Sequence, residues 1–246
     1  MLSHFRSSRS TVATPEGSVA SIASSTDSPP QKSGHTGTPL GYLAEEEVPF
    51  ALIPEGTRRT RFVVAITGAT GATIAVRLLQ ALRALDIEVH LIMSKWAAST
   101  LRYETDVTVE QIKSLADHVY SPSDVSAPPS SGSFLHDGMI VVPCSMKTLA
   151  AIRIGFCDEL ISRAADVCLK ENRKLLLAVR ETPLSEIHLE NMLFLRRAGA
   201  IIFPPLPAYY IRPESVDDLT NQTVGRMLDS MGVHTTGFER WSGLRK

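Results

Sequence analysis

At 246 residues, with 43% hydrophobic and 21% charged residues, the chain is long enough to bury one substantial core. A formal net charge of -1 speaks against a nucleic-acid surface, and no apolar run approaches the roughly 20 residues that a membrane span needs. Cys144, Cys157 and Cys168 are odd in number and lack a C-x-x-C or a nearby histidine pairing, so they indicate neither a disulfide framework nor a zinc site, and a reducing interior suits them.

From Met1 to about Gly41 the chain is crowded with Ser, Thr, Pro and Gly and has no apolar period, so it cannot bury enough surface to fold. Its start, MLSHFRSSRSTV, carries Arg6 and Arg9, several serines and no acid, the composition of a mitochondrial transit peptide. A plain disordered tail is the alternative. Glu45, Glu46 and Glu47 end any basic presequence. The expected organisation is a disordered segment and linker over 1–58 and one folded domain over 59–246, mitochondrial if the leader acts as one and cytoplasmic otherwise.

The stretch RFVVAITGATGAT, Arg61–Thr73, reads as strand, phosphate-binding turn and helix. Phe62–Ile66 is bulky and largely β-branched, as a buried parallel strand should be. Gly68 and Gly71 suit a tight turn that a ligand can approach closely. Ala72–Leu85 then has helical spacing, and the free N–H groups at its start favour an anion. Ile87–Met93 is a second strand. A dinucleotide fold would place an acid near its end to hold a ribose; Ser94 and Lys95 stand there instead. A hydroxyl and a cation suit a terminal phosphate, which points to a mononucleotide such as FMN. The turn also departs from G-x-G-x-x-G, which disfavours NAD.

A short helix is expected over Trp96–Tyr103, closed by Glu104-Thr105, and a Pro/Ser-rich loop over Ser121–Ser133. Met139–Val142 is the next strand. Pro143 to Thr148 follows as a second strand-to-helix junction, with the Ser145 and Thr148 hydroxyls beside free backbone N–H groups and a helix over Leu149–Ile154. Capping explains either hydroxyl alone; two such junctions in one sheet favour a shared anionic ligand at the carboxyl ends of the strands. In the helix over Asp158–Asn172, Arg163 and Lys170 project from one face two turns apart. Leu175–Val179 is another strand, with Arg180-Glu181 at its carboxyl end. Thr182 and Pro183 are read as the N-cap and first-turn proline of a helix through Leu195 that Gly199 stops. Ala200–Phe203 is the last strand and leads into a rigid loop, PPLPAYY. Pro213–Asp218 opens a final helix that carries Arg226, and the tail ends with Trp241 as anchor or lid.

GATGA at the first turn, SKWA…YET at 94–105, SGS…GMIVVPCSMKTLAAI at 131–152, RAADVCLKE at 163–171, RETPLSEIHLENM at 180–192 and PPLPAYY with its downstream Arg226 resemble, in this order, the UbiX/Pad1 family of flavin prenyltransferases, formerly called phenylacrylic acid decarboxylases. The resemblance covers about Arg61 to Gly243. It implies an α/β, Rossmann-like, flavodoxin-type three-layer sandwich with a mainly parallel sheet, assembled as a dodecamer with active sites where subunits meet. It also implies an enzyme that joins a dimethylallyl group to reduced FMN without a metal, from dimethylallyl phosphate or the pyrophosphate. The product, prenylated FMN, would serve a partner decarboxylase of the UbiD/ferulate-decarboxylase type.

Carried over by position, Gly68, Ala69, Thr70, Ser94, Ser145, Met146, Lys147, Thr148 and Arg180 match FMN-contacting positions. Tyr210 and Arg226 match prenyl-phosphate positions; Lys170 and Glu181 match residues acting around that phosphate; Glu104 and Arg163 match further site residues; and Trp241 matches a late aromatic near the prenyl group. Position 70 is often Ser in the family, and Thr70 keeps the hydroxyl while adding a methyl. The residue types suit the chemistry. Lys170, Arg226 and the Tyr210 hydroxyl can stabilise a leaving phosphate as its charge grows. Aromatic faces support an allylic cation without trapping it. A flavin-dependent cysteine decarboxylase would carry Ala-Asn in place of Met146-Lys147. Decarboxylation of aromatic acids by the protein itself, and flavin carriage without chemistry, are the other readings.

Overall fold

The computed structural model describes Gly56 and residues 58–244; the N-terminal leader and most of the expected linker lie outside the described residues. Six strands form one sheet: β1 (Arg61–Ile66), β2 (Glu88–Met93), β3 (His118–Tyr120), β4 (Gly138–Cys144), β5 (Lys174–Val179) and β6 (Ile201–Ile202). Their order is β3-β2-β1-β4-β5-β6 and every pairing is parallel. Without the short edge strand β3 this is the flavodoxin order, in which the chain reverses direction across the sheet beside its first strand.

Among the described residues, seven α-helices cover the two faces: α1 (Ala72–Ala84), α2 (Lys95–Glu104), α3 (Val109–Lys113), α4 (Met146–Ile154), α5 (Leu160–Lys170), α6 (Glu186–Arg197) and α7 (Val216–Met231). Alternation along the strands divides the core in two. Phe62, Val64, Val89 and Leu91 pack under Leu78, Leu79 and Leu82 of α1 and Met227 of α7. Val63, Ala65, Met139 and Val141 pack under Leu149 of α4, Ala164 and Cys168 of α5, and Leu195 of α6. The result is the three-layer α/β sandwich that the family resemblance implies.

Several boundaries move for local reasons. The helix expected from Thr182 starts after Ser185, because Ser185 and His188 form a reciprocal capping box. The last helix likewise waits for Ser215, boxed with Asp218. β6 shrinks to two residues at the sheet edge. The sequence reading passed over α3 and β3, although Thr108 and Gln111 form a third capping box.

Gly71 has φ 111° and needs glycine's freedom to enter α1. Gly68 is required for a different reason: a Cβ there would overlap the Cβ of Trp96.

His136 is buried where the loop enters β4. Its Nδ1 pairs with the Gly138 carbonyl at 3.1 Å, while its Nε2 has no partner among the described residues. Burial pushes its pKa down to about 4 from 6.5. The folded state therefore resists a proton that the unfolded state accepts below pH 6.5. Stability is predicted to fall by on the order of 3 kcal/mol as pH drops from about 6.5 to about 4. Burial also lowers the pKa of His90, which adds in the same sense. Urea unfolding across this range should show the slope, and His136→Gln should flatten it.

Candidate functional site

The strands point their carboxyl ends at one edge, and the crevice lies where β1 and β4 end side by side. Thr67, 2% exposed, closes this point. Its Oγ1 donates to the Pro143 carbonyl at 2.7 Å and accepts from the Ser145 N–H at 2.9 Å, so the two turns leave the sheet in fixed register.

Beside it lies a cavity of about 350 Å³ lined by Thr67, Gly68, Ser94, Lys95, Trp96, Ser145, Lys147, Thr148, Glu159 and Ile161. Ser94 caps α2 by accepting from Ala97 N–H at 3.1 Å, and Ser145 caps α4 by accepting from Thr148 N–H at 3.3 Å. Two helix N-termini with their partial positive charge, two lysines and the hydroxyls of Ser94, Ser145 and Thr148 thus meet around one space, a setting suited to a phosphate. Lys147 also lies 3.7 Å from Glu159. Ala69 and Thr70 form the turn itself, half-buried and exposed. The Met146 side chain packs on the core beneath α4. Arg180 donates its backbone N–H to the Cys144 carbonyl at 3.1 Å, which sets it next to Ser145. Glu181 is exposed and accepts from its neighbour Thr182 N–H at 3.0 Å.

One expectation needs correction. The N–H groups at the start of α1 do not all await an external anion: Glu104 Oε2 accepts from Gly71 and Ala72 N–H at 2.9 and 2.8 Å. The anion at that helix terminus is the protein's own carboxylate. Glu104 holds the glycine turn against α2.

A second cavity, of about 720 Å³, lies between the loop after β6, α7 and the C-terminal segment. Phe203, Leu206, Ala208, Phe238 and Trp241 give it apolar walls, and Tyr210, Arg226 and Arg240 give it polar groups. The Trp241 ring meets Tyr210 edge to face at 5.6 Å. Gln222, buried under this cavity, donates from Nε2 to the Tyr210 hydroxyl at 2.9 Å. The hydroxyl thereby keeps its own proton to give to a ligand. Arg226 Nη1 reaches Asp229 Oδ2 at 3.3 Å.

Lys170 lies elsewhere. It ends α5, four residues before β5 begins, and so stands at the amino edge of the sheet. There it pairs with Glu171, against Gly132 of the preceding loop. A six-residue strand spans roughly 20 Å, which separates Lys170 from the carboxyl-edge cavity of its own chain. Arg163, near the start of α5, bonds Asp166 at 2.8 Å and the Ser130 carbonyl at 3.1 Å. The residues matched to one family site therefore fall into separate places within a chain. Glu88, His90 and His118, at the amino edge, have ligand atoms within 4.8 Å of one another. Glu88 is already held there by Arg61 Nε at 2.9 Å and His90 by the Tyr120 hydroxyl at 2.8 Å.

Sequence reasoning missed Thr67, Gln222 and Arg240. Thr67 had a usable signal, as a hydroxyl at the last position of a buried apolar run; the other two had none. Thr67→Val is predicted to leave the Pro143 carbonyl and Ser145 N–H without their partner and to cost about 1–3 kcal/mol. Chemical denaturation should register this, with Thr67→Ser close to the parent.

The chain matches the family described as Flavoprotein over residues 53–228. It is 63% identical over 188 residues to the flavin prenyltransferase PAD1, mitochondrial, of Saccharomyces cerevisiae, covering 76% of this chain and 78% of that protein. The solved structure of AnUbiX (PadA1) in complex with FMN and dimethylallyl pyrophosphate is 62% identical, with a TM-score of 0.76, over 76% of this chain and 100% of that one. A dodecameric FMN-dependent UbiX-like decarboxylase from Escherichia coli O157:H7 is 54% identical, with a TM-score of 0.74, over 75% and 100%. On this match and these identities, the chain belongs to the flavoprotein family and, within it, to the UbiX/Pad1 flavin prenyltransferases.

Proposed function

We propose that this protein joins a dimethylallyl group to N5 and C6 of reduced FMN, releasing the donor's phosphate or pyrophosphate. The observation that carries the reading is the pairing, in one chain, of a phosphate-suited cavity with an aromatic-walled cavity bearing cations and a tyrosine. Carriage of a flavin alone would not call for the second cavity. The relative solved with both FMN and dimethylallyl pyrophosphate supports the same pair of ligands here.

The carboxyl-edge cavity fits the FMN phosphate by its chemistry: the hydroxyls of Ser94, Ser145 and Thr148, the cations Lys95 and Lys147, and two helix N-termini. Gly68, Ala69, Thr70, Met146 and Arg180 complete the flavin set. When bound, reduced FMN supplies the nucleophilic atoms. The chain's own residues act on the donor. Arg226, the Tyr210 hydroxyl and Lys170 stabilise the leaving phosphate as the allylic C–O bond breaks. Trp241 and Tyr210 offer aromatic faces to the cation while water is kept out. Glu181 takes up the proton released when the second carbon bond closes. Glu104 and Arg163 act by position, the first on the glycine turn and the second on the loop at Ser130.

Lys170 reaches this chemistry from a second copy of the chain, since its own cavity lies across the sheet. A homo-oligomer, of the dodecameric kind described for the Escherichia coli relative, supplies that copy. The mitochondrial designation of the yeast relative supports a mitochondrial location. A decarboxylase of the UbiD type is the proposed recipient of the product.

Anaerobic incubation with reduced FMN and dimethylallyl phosphate, and separately the pyrophosphate, followed by mass analysis of the flavin, tests the reading. A gain of one C5 prenyl unit, abolished in Lys170→Ala, is expected. Unmodified FMN returned from protein that binds it well would favour carriage or decarboxylation instead. Glu181→Gln is predicted to accumulate flavin joined at N5 alone; normal product from this variant would remove Glu181 from its role.

A further inference from the structure

The aromatic cavity holds two guanidinium groups. Arg240 grips Asp229 with both forks, Nη1 to Oδ2 at 2.5 Å and Nη2 to Oδ1 at 2.8 Å, and Nη2 also donates to the Thr235 carbonyl at 3.0 Å. Arg226 reaches the same Oδ2 at 3.3 Å. His234 Nδ1 adds a contact to Oδ1 at 3.0 Å. The Asp229 side chain is 9% exposed, and the Arg240 pairing above all holds its carboxyl well below the usual carboxylate range. One ionised carboxylate thus fixes two cations side by side and neutralises only one of them.

Arg240 is built into place. Phe238 lies so close on α7 that a Cβ on Gly225 would overlap its ring. The Arg240 guanidinium stacks 4.4 Å above that ring, and Trp241 rests on Tyr210. The segment is therefore pinned on both sides of Arg240, whose side chain remains 46% exposed at the cavity.

A monophosphate can be met by Arg226 and the Tyr210 hydroxyl. A diphosphate carries more charge, spread over two centres, and suits a second cation beside the first, which Arg240 supplies through the N–H groups that Asp229 and Thr235 do not take. We propose that Arg240 is a second phosphate-binding residue of this cavity, gripping the outer phosphate of a prenyl diphosphate, with Asp229 the positioning residue that sets it beside Arg226. The identity of the donor rests on the prenyltransfer reading; the diphosphate site rests on the cavity.

FMN-loaded protein is titrated calorimetrically with inorganic pyrophosphate and with inorganic phosphate, for the parent, Arg240→Gln, Arg240→Lys and Asp229→Asn. Arg240→Gln is expected to weaken pyrophosphate binding about tenfold or more, the loss of a charge-assisted contact, and phosphate binding by less than about threefold. Arg240→Lys should recover part of the difference, and Asp229→Asn should narrow the preference for pyrophosphate. In turnover, Arg240→Gln should lower kcat/KM for dimethylallyl pyrophosphate about tenfold or more, and kcat/KM for dimethylallyl phosphate by less than about threefold. Equal losses for both anions, no loss, or no recovery by lysine overturns the assignment. A parent protein that prefers pyrophosphate through Arg240 yet leaves FMN unmodified supports the anion site and overturns prenyltransfer.

Discussion

Where β1 and β4 end side by side, the buried Thr67 hydroxyl at the end of β1 donates to the Pro143 carbonyl and accepts from the Ser145 amide at the end of β4. Thr67, Gly68, Ser145, Lys147 and Thr148, five of the groups around the carboxyl-edge cavity, follow the two strand ends that this contact joins. Parallel pairing aligns the strands, but it does not say how far apart two chains diverge once they leave the sheet. The Thr67 bridge does, because a side chain that both donates and accepts holds two separate backbone atoms. Ser145 is thereby held as it caps α4, and Ser94 caps α2 on the other side of β1. The cavity is a consequence of three strand ends held at fixed distances.

The helix termini around this crevice are not equivalent. That of α1 is quenched by Glu104, whereas those of α2 and α4 are capped by neutral hydroxyls. A carboxylate cancels much of a helix terminus's partial charge, while a hydroxyl satisfies an amide and leaves the charge in place. The remaining partial charge at this edge therefore lies at the serine-capped helices rather than at the glycine turn. The glycines serve geometry, Gly71 by its backbone angle and Gly68 by making room for Trp96.

What could be read from the sequence follows the range of the interactions. Strand runs, helix spacings and the junctions at Ser94 and Ser145 are local patterns, and the sheet could be anticipated from them. Short elements escaped, since β3 and α3 are too brief for a period to show. Contacts across long separations also escaped: Thr67 and Ser145 stand 78 positions apart and Glu104 and Gly71 stand 33 apart. Family motifs named Lys170, Arg226 and Tyr210 as one set. Motifs carry no information about which edge of the sheet a residue occupies, and that depends on helix direction and strand order. Arg240 had neither a period nor a motif to mark it; only the fold brings it to Asp229.

The place of Lys170 at the amino edge has a genetic counterpart. In the proposed assembly one chain lends its lysine to a flavin held by another, so each complete site draws on two copies of the chain. A chain damaged only at its glycine turn still donates a sound lysine, and a chain lacking the lysine still offers a sound turn. Mixed in one particle, two individually inactive alleles rebuild a fraction of whole sites. In that proposed assembly, complementation between alleles is the expected outcome.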